Sequence, residues 1–278
     1  MRMKMKKKVF RIMFMLAILS TLLFLVSMAV NADAGDIITV QNSDGISVNY
    51  KILSESGDVG TVEVGKGDYM STAINTSGHL TIPQSVIYGN RAYTVIGIGD
   101  SSFEKCKSIA GITIPDCVTN IGGFAFAECV NLTGITIPNT VTSIGESAFR
   151  ECRSLTSVTI PDGVTSILDN TFIGCDSLTS VTIPNSVTNV GESAFSNCYS
   201  LINVTIPDNV TCIGDFAFID CRNLTSIRIP DTITSIGMGA FSACKNLTEI
   251  IIGKDNVNYC IVEGWKEGCQ HPGYQSVF

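Results

Sequence analysis

A strict 23-residue repeat constrains this chain more than any other feature. Prolines, phenylalanines and cysteines all recur at that step. They are Pro115, Pro138, Pro161, Pro184, Pro207 and Pro230; Phe126, Phe149, Phe172, Phe195, Phe218 and Phe241; and Cys106, Cys129, Cys152, Cys175, Cys198, Cys221 and Cys244. Self-similarity at a fixed short period is the signature of a repeat architecture, in which no unit can bury its apolar face alone. The sequence therefore predicts units stacked around one continuous core.

The letters of one unit predict its local structure. In Ser157–Thr179, the S-V-T-I run alternates apolar and hydroxyl residues, as in a strand buried on one face. Proline then ends the strand because it has no N–H, and Pro-Asp or Pro-Asn suits the two central positions of a type I turn. V-T-S-I predicts a second short strand. The run typified by E-S-A-F-x-x-C-x-x-L predicts a short helical turn with its apolar residues inward.

The order of these elements resembles leucine-rich repeats, through the L-x-x-L-x-L pattern that begins at Leu132, Leu155 and Leu178. The longer pattern L-x-x-I-x-I-P-x-x-V-x-x-I-G-x-x-A-F-x-x-C is similar to the BspA-like, or treponemal-type, leucine-rich repeat family, from Leu80 to about Gly253. The resemblance implies a right-handed leucine-rich-repeat solenoid with short parallel strands, short helical turns and a β-rich N-terminal cap. It also implies adhesion to host extracellular proteins or to other cells.

The N-terminal segment is typical of an export signal. Met1–Arg11 is basic, residues 12–30 form an uncharged apolar run, and residues 32–34 form a small-x-small cleavage site. We interpret residues 1–34 as a signal peptide. The apolar run is also close to the roughly 20 residues that span a bilayer, so an uncleaved anchor is the alternative. In both cases the basic flank predicts that the rest of the chain is secreted or lies at the cell surface.

Both ends of the repeat array are predicted to be capped, because a solenoid otherwise exposes its apolar ends. Alternating apolar runs within residues 37–64 predict a small β cap, and Val86–Tyr93 predicts a hairpin around Gly89-Asn90. The predicted divisions are a signal peptide (1–34), an N-terminal β cap (35–79), the leucine-rich repeat solenoid (80–253) and a C-terminal cap or tail (254–278).

Composition and charge exclude several classes of function. The formal net charge is −7, but residues 1–34 hold six of the 18 basic residues and only one of the 25 acidic residues. The rest of the chain is therefore strongly acidic, and nucleic-acid binding, which needs clustered Lys and Arg, is not expected. The chain has two His residues and no G-x-S-x-G nucleophile motif. We predict no enzyme activity, no cofactor and no metal.

The 11 cysteines would ordinarily indicate disulfides in an exported chain. Seven of them occupy one repeat position, however, and side chains on one ladder point the same way, which opposes disulfide geometry. We predict that these seven are free and buried as small apolar residues. Cys260 and Cys269 are the one pair that could form a disulfide. Their spacing to His271 is not that of a zinc site.

The outward positions of the S-V-T-I strands are the candidate binding face. A row of threonines is explained by solvent exposure alone, because Thr favours strands. The alternative is that this flat sheet binds a ligand, as extended solenoid faces often do. Specificity is predicted at the C-terminal end, where other residue types interrupt the row. The candidate residues are Thr113, Thr136, Thr159, Thr182, Asn203, Thr205, Arg228 and Glu249.

These features together predict a non-enzymatic, secreted or cell-surface leucine-rich repeat protein that acts in adhesion or protein–protein interaction through the outward strand face. The expected partner is an extracellular protein or glycan. Membrane contact is expected only through an uncleaved N-terminal segment. The alternative function is a structural scaffold module of an extracellular assembly or of a carbohydrate-associated complex.

Overall fold

The computed structural model describes residues 32–43, 45–65 and 78–252. Most of the predicted signal peptide, the Cys260–Cys269 pair and the predicted C-terminal cap or tail lie outside these ranges. Within them the chain forms nineteen strands and no helix. The strands are β1 Ile37–Gln41, β2 Ser47–Ser56, β3 Val59–Val64, β4 Gly78–Thr81, β5 Ser85–Tyr88, β6 Arg91–Ile98, β7 Ile109–Thr113, β8 Asn120–Ile121, β9 Gly134–Thr136, β10 Ser143–Ile144, β11 Ser157–Thr159, β12 Ser166–Ile167, β13 Ser180–Thr182, β14 Asn189–Val190, β15 Asn203–Val204, β16 Cys212–Ile213, β17 Ser226–Ile229, β18 Ser235–Ile236 and β19 Glu249–Ile252.

Equivalent strands of successive repeats lie side by side in two parallel columns. The first column consists of the three-stranded sheet β4-β7-β9 followed by the five-stranded sheet β11-β13-β15-β17-β19. The second column runs through β6, β8 and β10 and continues as β12-β14-β16-β18. Both columns pair residues one repeat apart, as in Ser157 with Ser180 and Ser166 with Asn189. The structure confirms the leucine-rich-repeat solenoid and both predicted strands of the unit.

The third side of each repeat, here called the turn side, is a run of turns and not the predicted short helical turn. The amides of Ser147, Phe149 and Glu151 donate to carbonyl oxygens of the next repeat, at 3.0, 2.9 and 2.7 Å. Ser147 and Glu151 have φ angles of 56° and 57°, in the left-handed region. An α-helix needs negative φ and amides bonded four residues back. The prediction was wrong because these amides hold neighbouring repeats together.

The proline turn is displaced by one residue from its predicted position. The N–H of Val141 donates to the carbonyl of Pro138 at 3.0 Å, and the other prolines between Pro115 and Pro230 repeat this bond. Proline is therefore the first residue of the turn, and Asn139 and Thr140 occupy its centre. Proline still ends the strand as predicted, because it has no N–H to donate.

Columns of identical side chains fill the interior. The rings of seven phenylalanines stack in nearly parallel planes, with centroids 5.2–5.4 Å apart. All seven, from Phe103 to Phe241, are at most 2% exposed. Burying an apolar side chain of this size stabilises a fold by roughly 1.5–3 kcal/mol. The phenylalanine column is therefore a principal source of stability.

The cysteine column lies beside the phenylalanines. None of the nine cysteines that the structure describes forms a disulfide; six of the column are buried, and Cys244 at its end is partly exposed. From Cys129 to Cys244, each thiol donates to the carbonyl of the phenylalanine 26 residues earlier, at 3.1–3.3 Å. Burial raises the pKa of Cys152 to about 12. The predicted small apolar residue is thus also a hydrogen-bond donor between repeats, which the sequence did not reveal.

The β-rich N-terminal cap is confirmed. Strands β1, β2 and β3 form an antiparallel sheet, and β3 joins β6 in parallel, so the cap extends the second column. The predicted hairpin is also present, with Tyr88 opposite Arg91. Tyr93 donates to Glu55 at 2.5 Å and Arg91 donates to the same carboxylate at 2.6 Å. Those bonds, above all that of Tyr93, lower the pKa of Glu55.

Candidate functional site

The eight predicted site residues are all exposed on the outward side of the first column, here called the strand face. The strand register aligns them one repeat apart. Thr113 lies beside Thr136, and Thr159 lies beside Thr182. Asn203 and Glu249 flank Ser226 on neighbouring strands. Neighbouring strands are about 4.8 Å apart, so the structure brings the predicted residues together as one continuous surface.

Threonines beside the strand face differ from those on it in the hydrogen-bond partners of their hydroxyl groups. Thr133, Thr156 and Thr179 each donate to a backbone carbonyl of the preceding repeat, at 3.0–3.2 Å. Thr142 and Thr211, before the second column, do the same at 3.2–3.3 Å. These hydroxyls connect adjacent repeats. Sequence reasoning missed them because their positions share the hydroxyl-rich composition of the exposed face.

The strand face keeps its own hydroxyls available. Within residues 78–252, the side-chain oxygens of Thr136, Thr159, Thr182 and Thr205 make no hydrogen bond to another protein group. Thr113 is the exception, with its oxygen 2.7 Å from Nε2 of His79. A hydroxyl both donates and accepts hydrogen bonds. The row therefore offers a ligand both kinds of bond.

The C-terminal end of the strand face carries charge and apolar surface. Nη1 of Arg228 lies 2.6 Å from Oδ1 of Asp208, and both side chains remain exposed, at 46% and 72%. Ile251 is 48% exposed there, and Ile202, beside the strand face, is 46% exposed. Ile202 was not predicted, although it stands where neighbouring repeats carry threonine. Arginine beside exposed apolar side chains is typical of protein interfaces.

The N-terminal end of the strand face has an open hollow of about 590 Å³. Gly111 and Gly134 form part of its lining, with His79, Thr136 and Ser157. A Cβ at Gly111 would lie 2.7 Å from Nδ1 of His79, whereas a Cβ at Gly134 would meet nothing within 4 Å. Sequence reasoning set His79 aside. The sequence signal that could have identified this hollow is the glycine at positions 111 and 134, where the later repeats have Ser, Asn or Glu.

The described ranges contain no cluster of three or more His, Cys, Asp or Glu side chains arranged to hold a metal ion. They also contain no helix long and apolar enough to cross a bilayer.

Residues 80–201 and 165–261 match the BspA type leucine rich repeat region, in six copies. The chain belongs to this family. The BspA-type fold is shared with a leucine rich repeat protein of T. pallidum at 27% identity and a TM-score of 0.57, over 78% of this chain and 90% of that one. Leucine-rich repeat proteins of this kind are typically non-enzymatic scaffolds that bind other proteins.

Two further solved structures are similar to this BspA-type chain. One is a leucine rich cell surface protein of Faecalibacterium prausnitzii, with 26% identity, 78% and 76% coverage of the two chains and a TM-score of 0.40. The other is a leucine-rich repeat protein of Bacteroides capillosus, with 32% identity, 52% and 96% coverage and a TM-score of 0.42. No curated protein matches the sequence.

Proposed function

We propose that this BspA-type protein is an exported or surface-attached adhesion protein that binds an extracellular protein through its strand face. The observation that carries the proposal is the contrast between threonine rows. Rows beside the face use their hydroxyls to connect repeats. The row on the face does not do so from Thr136 to Thr205, so the hydrogen-bonding capacity of these hydroxyls is available to a partner.

Specificity is proposed to come from the C-terminal end of the strand face. Asn203, Arg228 and Glu249 supply an amide, a cation and a carboxylate, while Ile251 supplies exposed apolar area. A protein partner fits this mixture better than a glycan does, because an arginine among exposed apolar side chains matches the usual anchors of protein interfaces. The ion pair of Arg228 with Asp208 holds the guanidinium at the surface.

The proposal is tested by binding of residues 35–278 to immobilised extracellular matrix proteins, with polysaccharides as a parallel set. The test variant combines Thr182→Ala, Asn203→Ala and Arg228→Ala. We expect it to lose at least tenfold in affinity for the matrix protein that the unaltered chain binds. Unchanged affinity would discard the strand face as the binding site.

The chain offers a matched control away from the strand face. Thr165→Ala, Asn209→Ala and Arg150→Ala remove the same three residue types, all exposed. We expect this control to bind like the unaltered chain. Equal losses in both triple variants would mean that binding depends on general charge or stability. Binding to polysaccharides alone would favour the carbohydrate-associated alternative, and binding to neither set would favour the scaffold module.

Export is proposed from the N-terminal sequence. Residues 1–34 have the basic segment, apolar run and small-x-small site of a signal peptide. N-terminal sequencing of the protein recovered from its producing cell should give a chain that begins at Gly35. A membrane-bound chain that begins at Met1 would instead establish the anchor. A soluble cytoplasmic chain that begins at Met1 would overturn the proposal of export.

A further inference from the structure

The apolar core reaches the surface in the hollow at the N-terminal end of the strand face. Ile135 lines this hollow and is only partly buried. Its counterparts in the two neighbouring repeats, Ile112 and Val158, are 3% and 4% exposed. Ile135 lies on β9, which ends the three-stranded sheet and does not pair with β11 of the next repeat. The hollow therefore has an apolar floor at a break between two sheets.

The opening results from the missing side chain at Gly134. The row of outward positions to which Gly134 belongs carries a side chain in every repeat from Ser157 to Glu249. At Gly111 the ring of His79 fills the space, because a Cβ there would lie 2.7 Å from Nδ1. A hydrogen bond between Nε2 of His79 and Oγ1 of Thr113, at 2.7 Å, holds the ring in that position. No atom lies within 4 Å of a Cβ on Gly134, so the hollow has room for one ligand side chain beside the imidazole.

The lining of the hollow favours an uncharged ligand group. None of the described residues that line it is Asp, Glu, Lys or Arg. An ammonium or carboxylate group of a ligand would therefore give up water here without gaining a permanently charged partner, which is costly. Thr136 and Ser157 add exposed hydroxyl groups to the rim. The group that fits this charge pattern has an apolar body and one polar atom.

We propose that the hollow binds a tyrosine side chain of the protein partner, as a second anchor at the opposite end of the strand face from Arg228. Aromatic rings cover glycines in β-sheets and replace the missing side-chain contacts. A tyrosine ring covers Gly134 and Ile135 in this way, and its hydroxyl finds partners among the hydroxyls of the rim. A sugar ring carries more hydroxyls than the rim can bond, and unbonded polar groups are costly when buried. The inference rests on the proposed binding of a protein through the strand face.

The hollow is tested apart from any matrix protein, with N-acetyl-L-tyrosinamide as the probe. The full chain has two histidines, so carbon-13 labelling of histidine gives two imidazole signals in NMR spectra. His79→Gln identifies the signal of His79. We expect the probe to shift that signal saturably, through the ring current of tyrosine, and to leave the signal of His271 unchanged. Gly134→Val fills the hollow without a clash at Cβ, so it should abolish the shift.

Ser180→Val is the matched control for the probe, because Ser180 occupies the same row two repeats after Gly134. It should leave the titration unchanged. The absence of a His79 shift, or an equal titration in Gly134→Val, would overturn the proposal. A saturable shift with N-acetylglucosamine and none with the tyrosine probe would also overturn it, and would assign the hollow to a sugar.

A second measurement connects the hollow to the protein partner. Gly134→Val should lower the affinity for the captured matrix protein at least fivefold, whereas Ser143→Val, at an exposed position on β10 of the second column, should not. Equal affinities in the two variants would overturn the role of the hollow as an anchor. Probe binding without capture of any matrix protein would support the tyrosine site and overturn only the proposed matrix-protein partner.

Discussion

The turn side and the strand face both repeat one residue type every 23 residues, but their side chains have opposite partners. On the turn side, Phe149 is buried between two neighbouring rings, and Cys152 donates to the carbonyl of Phe126. On the strand face, Thr159 is exposed and lies beside Thr182 without a bond between the hydroxyls. A repeated residue is therefore not by itself evidence of a structural role. Its contacts decide whether it holds the stack or is available to a ligand.

Alkaline pH should lower the free energy of unfolding, through the thiols of the turn side, by more than any single substitution does. Burial raises the pKa of five column thiols, Cys129, Cys152, Cys175, Cys198 and Cys221. An unfolded thiol has a pKa of about 8.5. The contribution of these neutral thiols to the free energy of unfolding is therefore fully present below that pH. Above it, the free energy of unfolding falls by about 1.4 kcal/mol per pH unit for each thiol. Urea unfolding followed by circular dichroism between pH 7 and 10 measures the slope.

A double variant tests the cause of that slope. Cys175→Ala with Cys198→Ala removes two of the five thiols, so the loss of stability per pH unit should be about two fifths smaller. An identical slope in this variant would assign the alkaline effect to other groups, and the column would no longer explain it.

Truncation of a stacked ring should have the largest effect among single substitutions. Phe172→Ala or Phe195→Ala should cost about 3–5 kcal/mol, the range for a buried phenylalanine. On the strand face, Thr182→Ala should change the free energy of unfolding by less than about 0.5 kcal/mol. Chemical denaturation measures both. A cost below about 1 kcal/mol for either phenylalanine variant would contradict the account of the turn side.

Two glycines give a matched pair for the same contrast. A Cβ on Gly145, which follows the second column, would lie 2.5 Å from the carbonyl carbon of Gly122. A Cβ on Gly134, on the strand face, would meet nothing within 4 Å. Gly145→Ala should therefore cost about 1–3 kcal/mol through overpacking, whereas Gly134→Ala should be neutral or stabilise by up to about 1 kcal/mol. Thermal unfolding of the two variants checks the order.

The smallest expected difference in stability is between variants of two threonines that lie three residues apart. The hydroxyl of Thr156 donates to the carbonyl of Thr133, and that of Thr159 has no bond to another residue of the described chain. Thr156→Val should cost about 0.5–1.5 kcal/mol, the net value of one hydrogen bond. Thr159→Val should cost nothing measurable. Equal costs in denaturant unfolding would show that the two rows do not differ as described.

The sequence predicted the repeat, both strands of the unit, the buried columns and the residues of the strand face, because periodic apolar positions determine which side chains face the core. It did not predict the turns at Ser147 and Glu151, whose left-handed φ angles depend on hydrogen bonds to the next repeat. The donor role of Cys152 and the bonded hydroxyl of Thr156 were missed for the same reason. The sequence of a single repeat does not reveal which of its groups bond to the neighbouring repeats.

Photo-crosslinking from single positions tests most directly whether the strand face binds the protein partner. A benzophenone amino acid is placed either at Thr182, on the strand face, or at Thr165, which is exposed before the second column. Each chain is irradiated with the matrix protein that it captures. The account predicts a covalent adduct from position 182 and none from position 165. An adduct from position 165 with none from position 182 would contradict it.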